Sequence, residues 1–61
     1  MKELALQDTL IKLIGIHHDL RIEYSKKGYT RLVNDTDSIL SQLFAELRKV
    51  NAIIMEAEKS A

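Results

Sequence analysis

No cysteine, proline or tryptophan occurs among the 61 residues, glycine occurs twice, and aromatic residues make up only 5% of the chain. Without cysteine there is no disulfide framework, no thiolate zinc site and no catalytic thiol. Without proline and with glycine only at Gly15 and Gly28, the places where the chain can reverse are few. An excess of either charge is missing too. Nine Lys plus Arg balance nine Asp plus Glu, which removes the cationic surplus that nucleic-acid and anionic-membrane binding draw on. No apolar run approaches the roughly 18 residues of a membrane span. The charged start Met1-Lys2-Glu3 is not followed by a secretory core. The expectation is a soluble, cytoplasmic protein with no membrane partner.

What is present is a high density of aliphatic side chains. Apolar residues make up 46% of the chain, with nine Leu and seven Ile, which excludes the composition of a disordered segment. One domain spanning residues 1–61 is the most the length allows. Its interior is too small for a pre-formed pocket of roughly 300 to 1,000 Å³. Ser25, Ser38, Ser41 and Ser60 have no base and orienting carboxylate placed around them by any sequence pattern. A non-enzymatic chain without cofactor or metal is expected. Because the usual staples of very small domains are missing, association with another chain is the remaining route to stability.

Lys26-Lys27-Gly28 has the form of a helix C-terminus, with cations in the last turn and Gly just beyond. The first helix is expected over about 3–27, the turn over about 28–30 and the second helix over about 31–59. Thr30 is the favoured N-cap of the second helix, with Asn34-Asp35-Thr36 as the later alternative. Val33, Leu40, Leu47 and Ile54 repeat every seven residues, with Thr36, Leu43, Val50 and Ala57 as the companion series. In the first helix Leu6, Leu13 and Leu20 pair with Leu10, His17 and Tyr24 in the same way. Two such seams facing each other make an antiparallel αα-hairpin with shallow crossing. Large apolar residues flank both: Ile14 and Ile16 on the first helix, Ile39, Phe44 and Ile53 on the second. Covering them calls for a second hairpin. The expected fold is therefore all-α, an antiparallel two-helix hairpin self-associating into a four-helix-bundle-like homodimer or higher oligomer.

Three features are candidates for function. His17-His18-Asp19 is the chemically conspicuous cluster. Adjacent helical positions diverge by about 100°, and neither His has a partner ligand three or four residues away, so no intrachain metal site is expected. His17 instead reads as a polar residue in the seam. Arg21, Lys26, Lys27 and Arg31 gather near the hairpin tip with Tyr24 and Tyr29 interleaved, the one feature a nucleic-acid-binding hairpin can use. Capping of the helix C-terminus and a Glu23–Lys27 ion pair explain the same residues without a ligand. The third is a stripe, Leu4, Ile11, Gly15, His18 and Ile22, lying within about 60° on a helical wheel and roughly opposite Leu6-Leu13-Leu20. Gly15 inside a helix costs about 1 kcal/mol against Ala, and close approach of another backbone is one reason to keep it. This stripe is the expected partner-binding surface.

The two-helix plan resembles the small plasmid-copy-number proteins that dimerise through a helical hairpin and bind RNA loops, an architectural likeness without a shared motif. Lys27-Gly28 followed by Ser41-Gln42-Leu43-Phe44 resembles the short hairpin phosphatases that act on sporulation response regulators. Their Ser-Gln-Glu-Leu-Asp motif is departed from here at its acidic and later positions, and the spacing is longer. The expected function is a small regulatory or protein-interaction module acting through an oligomeric bundle, its partners itself and another protein. A nucleic-acid-binding hairpin dimer is the alternative, and a phosphatase-like hairpin the third reading.

Overall fold

The computed structural model describes Met1–Ser60 as two helices, α1 (Lys2–Lys26) and α2 (Thr30–Ser60), packed against each other as an antiparallel hairpin. Its extents are 49 × 14 × 12 Å, so it is a rod two helices wide and one helix thick. No helix is long and apolar enough to cross a membrane.

The reversal is built by the residues that end α1. Lys27 is the last residue near helical geometry, and Gly28 follows in the left-handed region at φ 75°. Only glycine occupies that region without a Cβ clash. The Gly28 N–H then donates to the Ser25 carbonyl at 3.1 Å and the Tyr29 N–H to the Tyr24 carbonyl at 2.9 Å. These are the two bonds of a Schellman motif, and its accompanying apolar contact is the Tyr24–Tyr29 ring pair, with centroids 6.5 Å apart. Helix α2 begins at once. The Tyr29 carbonyl accepts from Val33 N–H at 3.0 Å, which makes Tyr29 the residue before the helix and Thr30 its first member. The expected Thr30 cap is thus displaced by one residue, because the Schellman bonds have already fixed Tyr29 in place.

The expected seam of α2 is the one observed. Thr36, Leu40, Val50 and Ile54 are buried, and Val33, Leu43 and Leu47 are half-buried. Thr36 satisfies its hydroxyl on the Leu32 carbonyl at 2.7 Å. Ala57 departs from the pattern and is exposed, since α2 is 31 residues against 25 for α1 and its last turn overhangs the start of its partner.

Helix α1 corrects the expectation. Leu10 is buried and His17 and Tyr24 are half-buried as anticipated, but Leu6 is 48% and Leu20 39% exposed, and Leu13 is only half-buried. Their place is taken by Glu3, Gln7, Ile14 and Arg21, so the observed seam is Glu3-Gln7-Leu10-Ile14-His17-Arg21-Tyr24. The steps still alternate by three and four, but α1 is turned by about 50° from the orientation its leucines suggest. Two polar pairs account for the turn. Gln7 Nε2 donates to Asn51 Oδ1 at 2.8 Å, and Arg21 Nε donates to Asp37 Oδ1 at 2.5 Å. Both form only if the Gln7-Ile14-Arg21 edge of α1 meets the Asp37-Phe44-Asn51 edge of α2.

Those pairs also fix the register. In each, the residue numbers sum to 58, so residues of α1 and α2 that satisfy this sum lie at the same height. The core between them is small: Leu10, Val50 and Ile54, with Leu43 and Leu47 packed against it.

Candidate interaction surfaces

A rod one helix thick has two broad faces, and the polar pairs say which side chains share each. The Gln7-Ile14-Arg21 and Asp37-Phe44-Asn51 edges lie together on one face. Leu4, Ile11, Gly15, His18 and Ile22 follow the middle of the first edge around α1 by about 40 to 100°, so the expected stripe flanks that face beside Phe44 and Met55. Leu4, Ile11 and Ile22 are exposed, Ile11 at 53%. Nothing lies within 4 Å of where a Gly15 Cβ would stand, so within one hairpin Gly15 admits no close neighbour.

The opposite face carries the leucines displaced from the seam. Leu6, Ile16 and Leu20 of α1 and Leu32, Ile39 and Ile53 of α2 are all exposed there, with Leu13 and Leu43 half-buried between them. Two carboxylates stand among them: Glu46, which pairs with Lys49 of its own helix at 3.3 Å, and the exposed Asp35, five turns before Ile53 at the same helical position. Both faces thus mix exposed apolar side chains with polar ones, the first being edged by Gln7–Asn51, Arg21–Asp37 and His18.

The other candidates resolve locally. His17 Nδ1 lies 2.8 Å from the Leu13 carbonyl, a contact inside its own helix in which the carbonyl accepts. Among the described residues no group of His, Cys, Asp and Glu is arranged to hold a metal. At the tip, Arg21 is drawn away to Asp37 and Lys26 pairs with Glu23 at 3.8 Å, while Lys27, expected to take Glu23, instead donates its backbone N–H to the Glu23 carbonyl. Lys27 and Arg31 are exposed. Tyr24 and Tyr29, interleaved with these cations in the sequence, are engaged with each other in the turn. Ser41 and Gln42 are exposed on α2, and no cleft forms among the described residues. The remaining ion pairs, Asp8–Lys12 at 2.9 Å and Glu56–Lys59 at 3.8 Å, lie within one helix and mark solvated faces.

Sequence reasoning missed the Gln7–Asn51 and Arg21–Asp37 pairs. Their signal was available: Gln7 and Arg21 are fourteen residues apart, as are Asp37 and Asn51, so two polar residues meet two others at matched heights of an antiparallel pair. Comparison with known protein families, characterised proteins and solved structures finds no match to this chain.

Proposed function

We propose that this chain is a small non-enzymatic interaction module whose working unit is a self-associated helical bundle. The observation that carries the reading is unburied apolar surface. The chain exposes 4684 Å², against about 4,000 Å² for a globular monomer of its 7.0 kDa, an excess of roughly 650 Å². A standard protein interface buries about 800 Å² per partner, so one such interface brings the exposure to what a globular chain of this size shows. Among the described residues only Leu10, Thr36, Leu40, Val50 and Ile54 are buried, and no large side chain is fully enclosed. A core that small rarely supplies more than about 3 to 5 kcal/mol.

With one face occupied by self-association, the Leu4-Ile11-Gly15-His18-Ile22 stripe remains for a different protein. Sedimentation equilibrium of the whole chain tests the first part, with a stoichiometry of two or a higher even number expected at micromolar concentration and a folded monomer contradicting it. Ile11→Lys tests the second. It should leave the assembly intact and abolish capture of whatever protein the wild-type chain retains from its host; unchanged capture would remove the stripe from the account.

A further inference from the structure

We propose that α1 has two seats on α2, and that the Gln7–Asn51 and Arg21–Asp37 pairs are the catch that holds it in the observed one. The observed seat matches the side chains of α1 poorly. Of its seven members Glu3, Gln7, His17 and Arg21 are polar, while Leu6 and Leu20 stand exposed and Leu13 half-buried beside them. Turning α1 back by about 50° makes the seam Leu6-Leu10-Leu13-His17-Leu20-Tyr24, which puts Glu3, Gln7 and Arg21 into water and three leucines in their place. The exchange favours burial, because apolar area removed from water stabilises in proportion to its size.

The register serves the second seat without a slide of either helix. Heights match where residue numbers sum to 58, so Leu6 stands between Val50 and Ile54, Leu13 between Leu43 and Leu47, and Leu20 between Thr36 and Leu40. Each leucine is then a knob over the gap between two seam residues of α2. The turn buries no carboxylate. Helix α2 stays where it is, with Asp35 and Glu46 exposed, and the α1 residues drawn inward behind the leucines are Lys2, Thr9 and Ile16. What opposes the turn is the two polar pairs. It moves the end of an α1 side chain by about 5 Å, which breaks the 2.8 Å Gln7–Asn51 bond and takes Arg21 out of its present geometry with Asp37. The catch is weak, since the Arg21 and Asp37 side chains remain 41% and 48% exposed and such pairs contribute little. A helix held between two packed seats in this way is a two-state element, and its setting decides whether the Leu6-Leu13-Leu20 row is presented outside or withdrawn against α2. Both seats are made within one chain, so the inference stands whether or not the chain self-associates.

Asp37→Ala with Asn51→Ala removes the catch from α2 and leaves α1 untouched. Ile14 is half-buried and Leu20 exposed in the observed seat, and release should exchange them. An Ile14→Cys thiol, the only one in a chain without cysteine, should react several-fold faster with a soluble disulfide reagent when the catch is removed than when it is present. In the same double variant without the cysteine, relaxation of the Leu6 and Leu20 methyl groups by a dissolved paramagnetic probe should fall several-fold, with wild-type helix content by circular dichroism. These opposite changes separate a turn from unfolding, which exposes all three residues together. Both readings are taken over a range of concentration, because a change that follows concentration comes from association and counts against the turn. Arg21→Asp with Asp37→Arg rebuilds the ion pair in reverse and should keep the wild-type pattern. A double variant that stays folded with Ile14 still protected would show that the pairs do not hold α1, and one that loses its helices would show that the leucine seat cannot hold it; either result overturns the proposal.

Discussion

Leu10 is the side chain on which the hairpin most depends. It is 6% exposed, sits against Val50 and Ile54 of α2, and is the one buried residue of α1 among those described. Truncation to Ala should cost about 2 to 5 kcal/mol, the transfer of its methyl groups plus the cavity left behind. That is comparable to everything a core of this size supplies. Ser41→Ala should be near neutral, since Ser41 is exposed. Thermal melts followed by circular dichroism at one fixed concentration should rank Leu10→Ala far below Ser41→Ala; equal melting would show that the buried cluster does not hold the helices together. At the same scale, the Gln7–Asn51 bond is part-buried, and a double-mutant cycle between Gln7→Ala and Asn51→Ala should return a coupling of about 0.5 to 1.5 kcal/mol. No coupling would mean that the register is set by the apolar residues without it.

At the scale of elements, the two glycines make opposite demands although both sit in exposed backbone. Gly28 is at φ 75°, whereas Gly15 is in the middle of α1 with open space where a Cβ would stand. Gly28→Ala should therefore destabilise the hairpin by about 1 kcal/mol through left-handed strain. Gly15→Ala should stabilise it by about 0.5 to 1 kcal/mol through helix propensity. Chemical denaturation of the two variants checks the signs, and a destabilising Gly15→Ala would mean that something approaches that backbone in the assembled protein. The contrast between the helices also explains what the sequence made legible. In α2 the heptad residues from Val33 to Ile54 form one apolar series flanked on much of the helix by charge, so its rotation could be read directly. In α1 the leucine row, the Leu10-Ile14 edge and the Leu4-Ile11-Ile22 stripe cover three sides, and periodicity alone leaves its rotation open. The deciding residues, Gln7 and Arg21, are polar, and their role emerges only when α2 is laid beside them. For the same reason the turn was legible, since Gly28 after two lysines is a local signal, while the leucine face was not, since it is what remains after α1 has turned.

For the whole molecule, the governing fact is that a rod one helix thick buries few of its many aliphatic side chains. On the proposed self-association, folding and association are one event. The hairpin gains its polar pairs and the small Leu10-Val50-Ile54 core from its own chain, and leaves Leu6, Leu20, Ile39 and Ile53 exposed for a second copy to cover on that proposal. In such a coupled equilibrium the folded state is favoured by mass action. Leucine-face and stripe variants should separate accordingly: Leu20→Lys should lower both helix content and assembly, while Ile11→Lys should lower neither. Circular dichroism paired with light scattering distinguishes them, and equal effects of the two would mean that the faces are not functionally distinct. The most direct measurement is the melting temperature of the wild-type chain over a hundredfold range of concentration. Coupled folding and association requires it to rise by several degrees from the lowest concentration to the highest; a melting temperature that does not move, with full helix content at the dilute end, would show a self-sufficient monomer and contradict the account.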